Sequence, residues 1–96
     1  MQSQGPSLQW TDVMPCEIVE KGFRKMRILV FTGPIEEDSL RIIVRSKKLH
    51  VYATSIENEK CMFCTIPIGF KPKEINYTYK NGVLTIDLKK KIFFLF

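Results

Sequence analysis

The turn Asn81-Gly82 and the strand after it constrain the fold of this chain more than any other feature. Both residues tolerate a positive φ, which the tight type I′ turn of a β-hairpin requires. After the turn, Leu84, Ile86 and Leu88 alternate with polar residues. Strict alternation is the pattern of a strand with one buried face. The sequence therefore predicts a β-hairpin that ends in a half-buried strand.

Short apolar or alternating segments recur along the rest of the chain, separated by turn residues roughly every 8–12 positions. The predicted strands are 17–20, 26–31, 40–45, 49–53, 61–67, 75–79 and 83–88. The acidic segment 35–39 is expected to be a connector with room for one helical turn. Sustained helical spacing is missing after Pro15. The pattern therefore indicates an all-β protein, either a β-sandwich or a barrel.

The order of these strands resembles the alpha-crystallin domain of small heat-shock proteins over residues 15–91. Members of that family have a strand ending in Leu-Pro-Gly, two alternating strands, a strand ending in Leu-Pro, and a closing Ala-x-x-x-Asn-Gly-Val-Leu. The matching segments here are Phe31-Thr32-Gly33-Pro34, Leu40-x-Ile42-x-Val44, Leu49-x-Val51-x-Ala53, Ile66-Pro67 and Asn81-Gly82-Val83-Leu84. The resemblance implies an immunoglobulin-like β-sandwich of two antiparallel sheets with seven or eight strands.

Two features depart from the family pattern and limit which members of the family the chain resembles. Tyr77 stands where the family has a small Ala, and the short turn 56–60 replaces the long loop through which many prokaryotic and plant members exchange a strand. The chain thus resembles a compact variant of the family, and it is equally similar in outline to the CS-type co-chaperone modules. We expect a homodimer or a small homo-oligomer.

The core is predicted from the inward positions of the alternating strands. It should contain Leu40, Ile42, Val44, Leu49, Val51, Leu84, Ile86 and Leu88. The continuous apolar run 26–31 leaves its register open, so either Ile28 and Val30 or Leu29 and Phe31 should join them. We divide the chain into an extended arm 1–14, in which Trp10 is expected to dock on a sheet, a domain 15–91 and an apolar C-terminal tail 92–96.

Composition and charge favour a protein of the cytoplasm. No apolar run approaches the ~20 residues of a membrane helix. Residues 1–15 lack the basic start and apolar block of a secretory signal. The net charge is +5, but the fifteen Lys and Arg residues are spread along the chain. This spread favours a solvated surface, so we expect no nucleic-acid partner and regard membrane binding as an unfavoured alternative.

Cys61 and Cys64 have Cys-x-x-Cys spacing, but residues i and i+3 of a strand point to opposite faces. The two thiols should therefore diverge and share neither a metal nor a disulfide. Cys16 and His50 would complete a zinc ligand set, yet a hairpin places His50 and Cys61 at opposite ends. We expect no metal and no cofactor.

The sequence does not mark an active site. His50, the single histidine, lacks a nucleophile and an orienting acid in the sequence pattern. The phosphate-binding glycine motifs are missing as well. We therefore expect a binding protein and not an enzyme.

The apolar tail 92–96 has three possible roles. It continues the last strand and packs on the arm, it docks in the groove of a neighbouring subunit, or it contacts an anionic membrane together with the lysines at 89–91. The second role uses the i, i+2 spacing of Ile92 and Phe94, which resembles the Ile-x-Ile tail of the family.

The resemblance implies an ATP-independent holdase that binds non-native polypeptides. The alternatives are a CS-type co-chaperone or partner-specific adaptor, followed by a nucleic-acid-binding sandwich. The candidate residues for contacts with polypeptides or partners are Ile42, Val44, Tyr79, Ile92, Phe94 and Phe96.

Overall fold

The computed structural model describes residues 12–91, which fold into strands joined by short turns. The strands are β1 (Asp12–Val13), β2 (Cys16–Lys21), β3 (Lys25–Phe31), β4 (Ile35–Arg45), β5 (Lys48–Ser55), β6 (Cys61–Pro67), β7 (Glu74–Lys80) and β8 (Val83–Lys89). Every predicted strand is present, and the all-β class is confirmed. Over this range, no helix has the length and apolar character needed to span a bilayer.

The eight strands form two four-stranded sheets. The first sheet has the order β1-β6-β5-β4, and the second has the order β2-β3-β8-β7. Every pairing is antiparallel except that of β1, which runs parallel to β6. The predicted sandwich of two sheets is therefore confirmed, with one short parallel pair added at an edge. Trp10 and the tail 92–96 lie outside the described residues.

The core lies between the sheets and resolves the register of β3. Ile28 and Val30 pair with Ile86 and Leu84, and all four side chains are buried. Phe31 is exposed, so the first of the two predicted registers is correct. The other buried core residues are Met14, Met26, Leu49, Val51, Cys64, Ile68 and Leu88.

Three predicted core residues are only partly buried. Leu40, Ile42 and Val44 pack against the core, but they belong to β4, which ends the first sheet. An edge strand has a neighbour on one side only, so its inward side chains stay partly open to solvent.

The predicted connector at 35–39 is wrong, because these residues begin β4. Ile35 is buried and pairs with Ser55, and Glu36 pairs with Thr54. The ladder is then interrupted by a bulge, where the Thr54 N–H donates to Ser39 Oγ at 2.9 Å. The three carboxylates of this segment reach solvent from an edge strand.

The Asn81-Gly82 turn has the predicted geometry, with φ values of 51° and 77°. It also joins the two sheets. The Gly82 carbonyl accepts hydrogen bonds from the N–H groups of Thr32 and Gly33, both at 3.0 Å. Thr32 and Gly33 lead from β3 of the second sheet to β4 of the first, so this turn fixes one end of the sandwich.

Candidate functional site

The edge strands β4 and β7 end the two sheets on the same side of the sandwich, and we call the region between them the groove. The two strands meet at one end through Tyr79 of β7. Its hydroxyl donates to the Gly33 carbonyl at 2.8 Å and accepts a hydrogen bond from the Ile35 N–H at 3.3 Å. Each strand ends its own sheet, so each has an unpaired backbone edge within residues 12–91.

The β4 wall of the groove carries Ile42 and Val44. These residues pair with Val51 and Leu49, whose side chains are fully buried. Cross-strand partners point to the same face of a sheet. Ile42 and Val44 therefore face the interior of the sandwich but remain half-buried.

The β7 wall carries Ile75, Tyr77 and Tyr79. Their partners on β8 are Leu88, Ile86 and Leu84, all fully buried. The β7 side chains thus face the interior too, yet Ile75 is 38% exposed and Tyr77 is 54% exposed. Within residues 12–91, no strand pairs with the outer edge of β4 or of β7, and their interior-facing apolar groups form a surface that suits an extended peptide.

Three of the six candidate residues lie on the two edge strands. Ile42 and Val44 of β4 and Tyr79 of β7 are partly buried against the core, with Tyr79 near the start of β4 and Val44 near its end. Ile92, Phe94 and Phe96 lie outside the described residues. Ile75 and Tyr77 were not among the contacts predicted from the sequence. Their alternation with Asn76 and Thr78 was the available signal, but it does not show that the strand is an uncovered edge.

A second apolar surface lies on the outer face of the first sheet. Tyr52 pairs with Phe63 and Thr54 pairs with Cys61, on the face opposite the buried Val51. A hollow of about 480 Å³ opens beside the β4 bulge and is lined by Ser39, Tyr52, Ala53, Thr54, Cys61, Met62 and Phe63. No sequence prediction had pointed to this hollow.

The two thiols of the Cys-x-x-Cys spacing diverge as predicted. Cys61 is exposed on the outer face, whereas Cys64 is buried in the core. Burial, followed by the neighbouring Cys16 thiol, raises the pKa of Cys64 to about 12. His50 points outward, with Nδ1 lying 3.1 Å from Thr65 Oγ1. Within residues 12–91, no group of three or more His, Cys, Asp or Glu side chains is arranged to hold a metal.

The difference in burial between Cys61 and Cys64 predicts selective alkylation of the native protein. At pH 8, Cys61 should react with iodoacetamide, because it is accessible to solvent. Cys64 should stay unmodified until the chain unfolds, since a pKa near 12 leaves roughly one thiolate in ten thousand. Mass spectrometry of proteolytic peptides measures each site separately, and urea-unfolded protein serves as the control. Equal native rates at the two sites would contradict the buried position of Cys64.

Cationic side chains gather at one end of the sandwich. In the second sheet, Lys25 pairs with Lys89, and the Lys90 N–H donates to the Arg24 carbonyl at 2.8 Å. This register places the β2–β3 turn beside the end of β8. Six cations lie there: Lys21, Arg24, Lys25, Lys89, Lys90 and Lys91.

The first sheet adds cations to the same end. Its β4–β5 turn contacts the chain after β6, where the Ile68 N–H donates to the Lys47 carbonyl at 3.0 Å. The chain then crosses to the second sheet, and the Lys73 N–H donates to the Lys89 carbonyl at 2.8 Å. Five cations lie along this path: Arg45, Lys47, Lys48, Lys71 and Lys73. We call these five and the six of the second sheet the basic end, which holds eleven of the fifteen Lys and Arg residues.

Solved structures of small heat shock proteins share this fold. Heat shock protein 16.0 from Schizosaccharomyces pombe is similar with a TM-score of 0.74 and 16% identity, covering 90% of this chain and 72% of that chain. HSP18.5 from E. histolytica gives a TM-score of 0.68 at 16% identity, covering 81% and 88%. A small heat shock protein from Synechococcus phage S-ShM2 gives 0.63 at 19% identity, covering 81% and 87%.

No protein-family model matches the sequence, and no curated protein matches it. The fold implied by the resemblance in strand order is therefore confirmed by structural likeness alone.

Proposed function

We propose that this protein is an ATP-independent holdase that binds non-native polypeptides in the groove between β4 and β7. The observation that carries the proposal is the pair of sheet edges that no described strand covers, each with a row of interior-facing apolar side chains. An extended client segment would insert alternate side chains between the walls and pair its backbone with an open strand edge. The fold shared with small heat shock proteins supports this assignment.

The chemistry of the groove suits binding and not catalysis. Its walls present aliphatic and aromatic groups, and the Tyr79 hydroxyl is already engaged with Gly33 and Ile35. Burial of apolar surface contributes about 25 cal/mol per Å², so a client needs no reaction and no nucleotide to be held. We place this activity in the cytoplasm, in a homodimer or small homo-oligomer. Ile92, Phe94 and Phe96 remain predicted contacts with a partner.

The first test is suppression of client aggregation. Chemically reduced insulin aggregates at room temperature, so light scattering can follow the client while this chain stays folded. We expect suppression at near-equimolar ratios, because one groove holds one client segment, and we expect added ATP to change nothing. Absence of suppression would contradict the holdase assignment and favour the co-chaperone or adaptor alternative.

A further inference from the structure

The basic end carries a large excess of positive charge. Its two carboxylates are already paired, Glu20 with Lys25 at 3.8 Å and Glu74 with Lys89 at 3.6 Å. Six other carboxylates lie at the opposite end: Asp12 beside Lys60, those at 36–38 in β4, and those at 57 and 59 in the β5–β6 turn. The molecule is therefore polarised along the strands, and its basic end attracts an anionic partner.

An exposed aromatic side chain projects from the same end. Phe23 is at the tip of the turn between β2 and β3 and is 79% exposed. It is flanked in sequence by Lys21, Arg24 and Lys25. A large apolar group at a loop tip surrounded by cations matches the interface of a bilayer, which is apolar inside and anionic at its surface. In the sequence, the apolar residues 92–96 follow Lys91 directly.

We propose that the basic end docks on anionic lipid bilayers, with Phe23 entering the headgroup region and the surrounding lysines and arginines contacting lipid phosphates and carboxylates. A nucleic acid fits these features less well. Binding of single strands uses several aromatic rings on which successive bases stack. Among residues 12–91, this end carries one further aromatic ring, that of Phe70, which is half-buried and has Lys90 Nζ 5.0 Å from its centroid.

Vesicle cosedimentation tests the charge requirement. We expect binding to vesicles of phosphatidylcholine with one third phosphatidylserine, and little binding to phosphatidylcholine alone. Raising NaCl from about 50 to about 300 mM should weaken the binding at least tenfold by screening. The vesicle affinity of the variant Lys21→Glu/Lys71→Glu should also fall by more than about tenfold. The matched control Lys60→Glu/Lys80→Glu changes the net charge equally at the opposite end and should lose less than about threefold.

A second arm tests Phe23. Phe23→Ala should weaken vesicle binding several-fold without shifting the urea midpoint of unfolding, because the side chain is exposed. In a Trp10→Phe background, the single tryptophan introduced by Phe23→Trp should shift its fluorescence emission to the blue when anionic vesicles are added. The tryptophan introduced by Phe31→Trp, at the opposite end, should not. Equal binding to neutral vesicles, or an unchanged affinity of Phe23→Ala, would overturn the proposal. Tighter binding to an oligonucleotide than to vesicles would assign the basic end to nucleic acid instead. None of these outcomes depends on holdase activity.

Discussion

Replacing Gly82 with alanine is expected to lower the free energy of unfolding by about 2–3 kcal/mol. Gly82 has a φ of 77°, where an L-residue is strained. An added Cβ would also lie 3.2 Å from Gly33 Cα, so the turn would have to move away from the segment that joins the sheets. That movement weakens the two hydrogen bonds that the Gly82 carbonyl accepts from Thr32 and Gly33. Urea denaturation followed by circular dichroism measures the loss.

Gly69→Ala is the matched control for this substitution. Gly69 has a φ of 81°, but nothing lies within 4 Å of an added Cβ. Gly69→Ala therefore adds backbone strain without a close contact to the added Cβ, and we expect it to lower the free energy of unfolding by about 1 kcal/mol. Equal losses at the two glycines would show that the contact with Gly33 contributes nothing to stability.

Local signals in the sequence predicted the turns and the strand faces correctly. The geometry of Asn81-Gly82, the inward side chains of Ile42 and Val44, and the divergence of Cys61 and Cys64 all depend on neighbours in the chain. Such features are set by backbone preference and by the period of two along a strand. They are therefore accessible before the sheet order is known.

Predictions from the sequence were wrong or stayed open where the surroundings of a strand, and not its local propensity, decide its composition. The acidic residues 36–38 are typical of a solvated connector, but an edge strand with a bulge exposes carboxylates equally well. In β3 the continuous apolar run could not show which face is buried, because that choice depends on the pairing of Ile28 with Ile86. Local propensity determines neither the edge position of β4 nor the pairing of β3.

The sequence also could not show which distant segments of the chain lie together in the fold. The cations of the basic end come from 21–25, 45–48, 71–73 and 89–91, which appear scattered along the chain. Turns and strand ends bring these four segments to one end of the sandwich. The spread of the cations along the sequence therefore does not carry over to the fold, where the topology gathers most of them at one end. The exposure of Ile75 and Tyr77 has a similar origin, since it depends on β7 being an edge strand.

The double substitution Ile75→Ser/Tyr77→Ser is expected to remove most of the holdase activity. These two residues supply the most exposed part of the β7 wall, at 38% and 54% exposure. They make a cleaner test than Ile42, Val44 or Tyr79, which pack against the core and whose loss also destabilises the fold. We expect the amount of protein that half-suppresses insulin aggregation to rise about tenfold, because apolar contact area with the client is lost. The urea midpoint should change little.

The matched control is Ile43→Ser/Tyr52→Ser, which removes the same residue types at exposures of 38% and 43%. Ile43 and Tyr52 lie on the outer face of the first sheet, away from the groove. Suppression should therefore be retained in this variant. If the control loses activity and the groove variant does not, clients bind at the hollow beside Tyr52 and the groove assignment is wrong. If both lose activity equally, binding follows total exposed apolar area, and the two open edges of the sandwich have no special role.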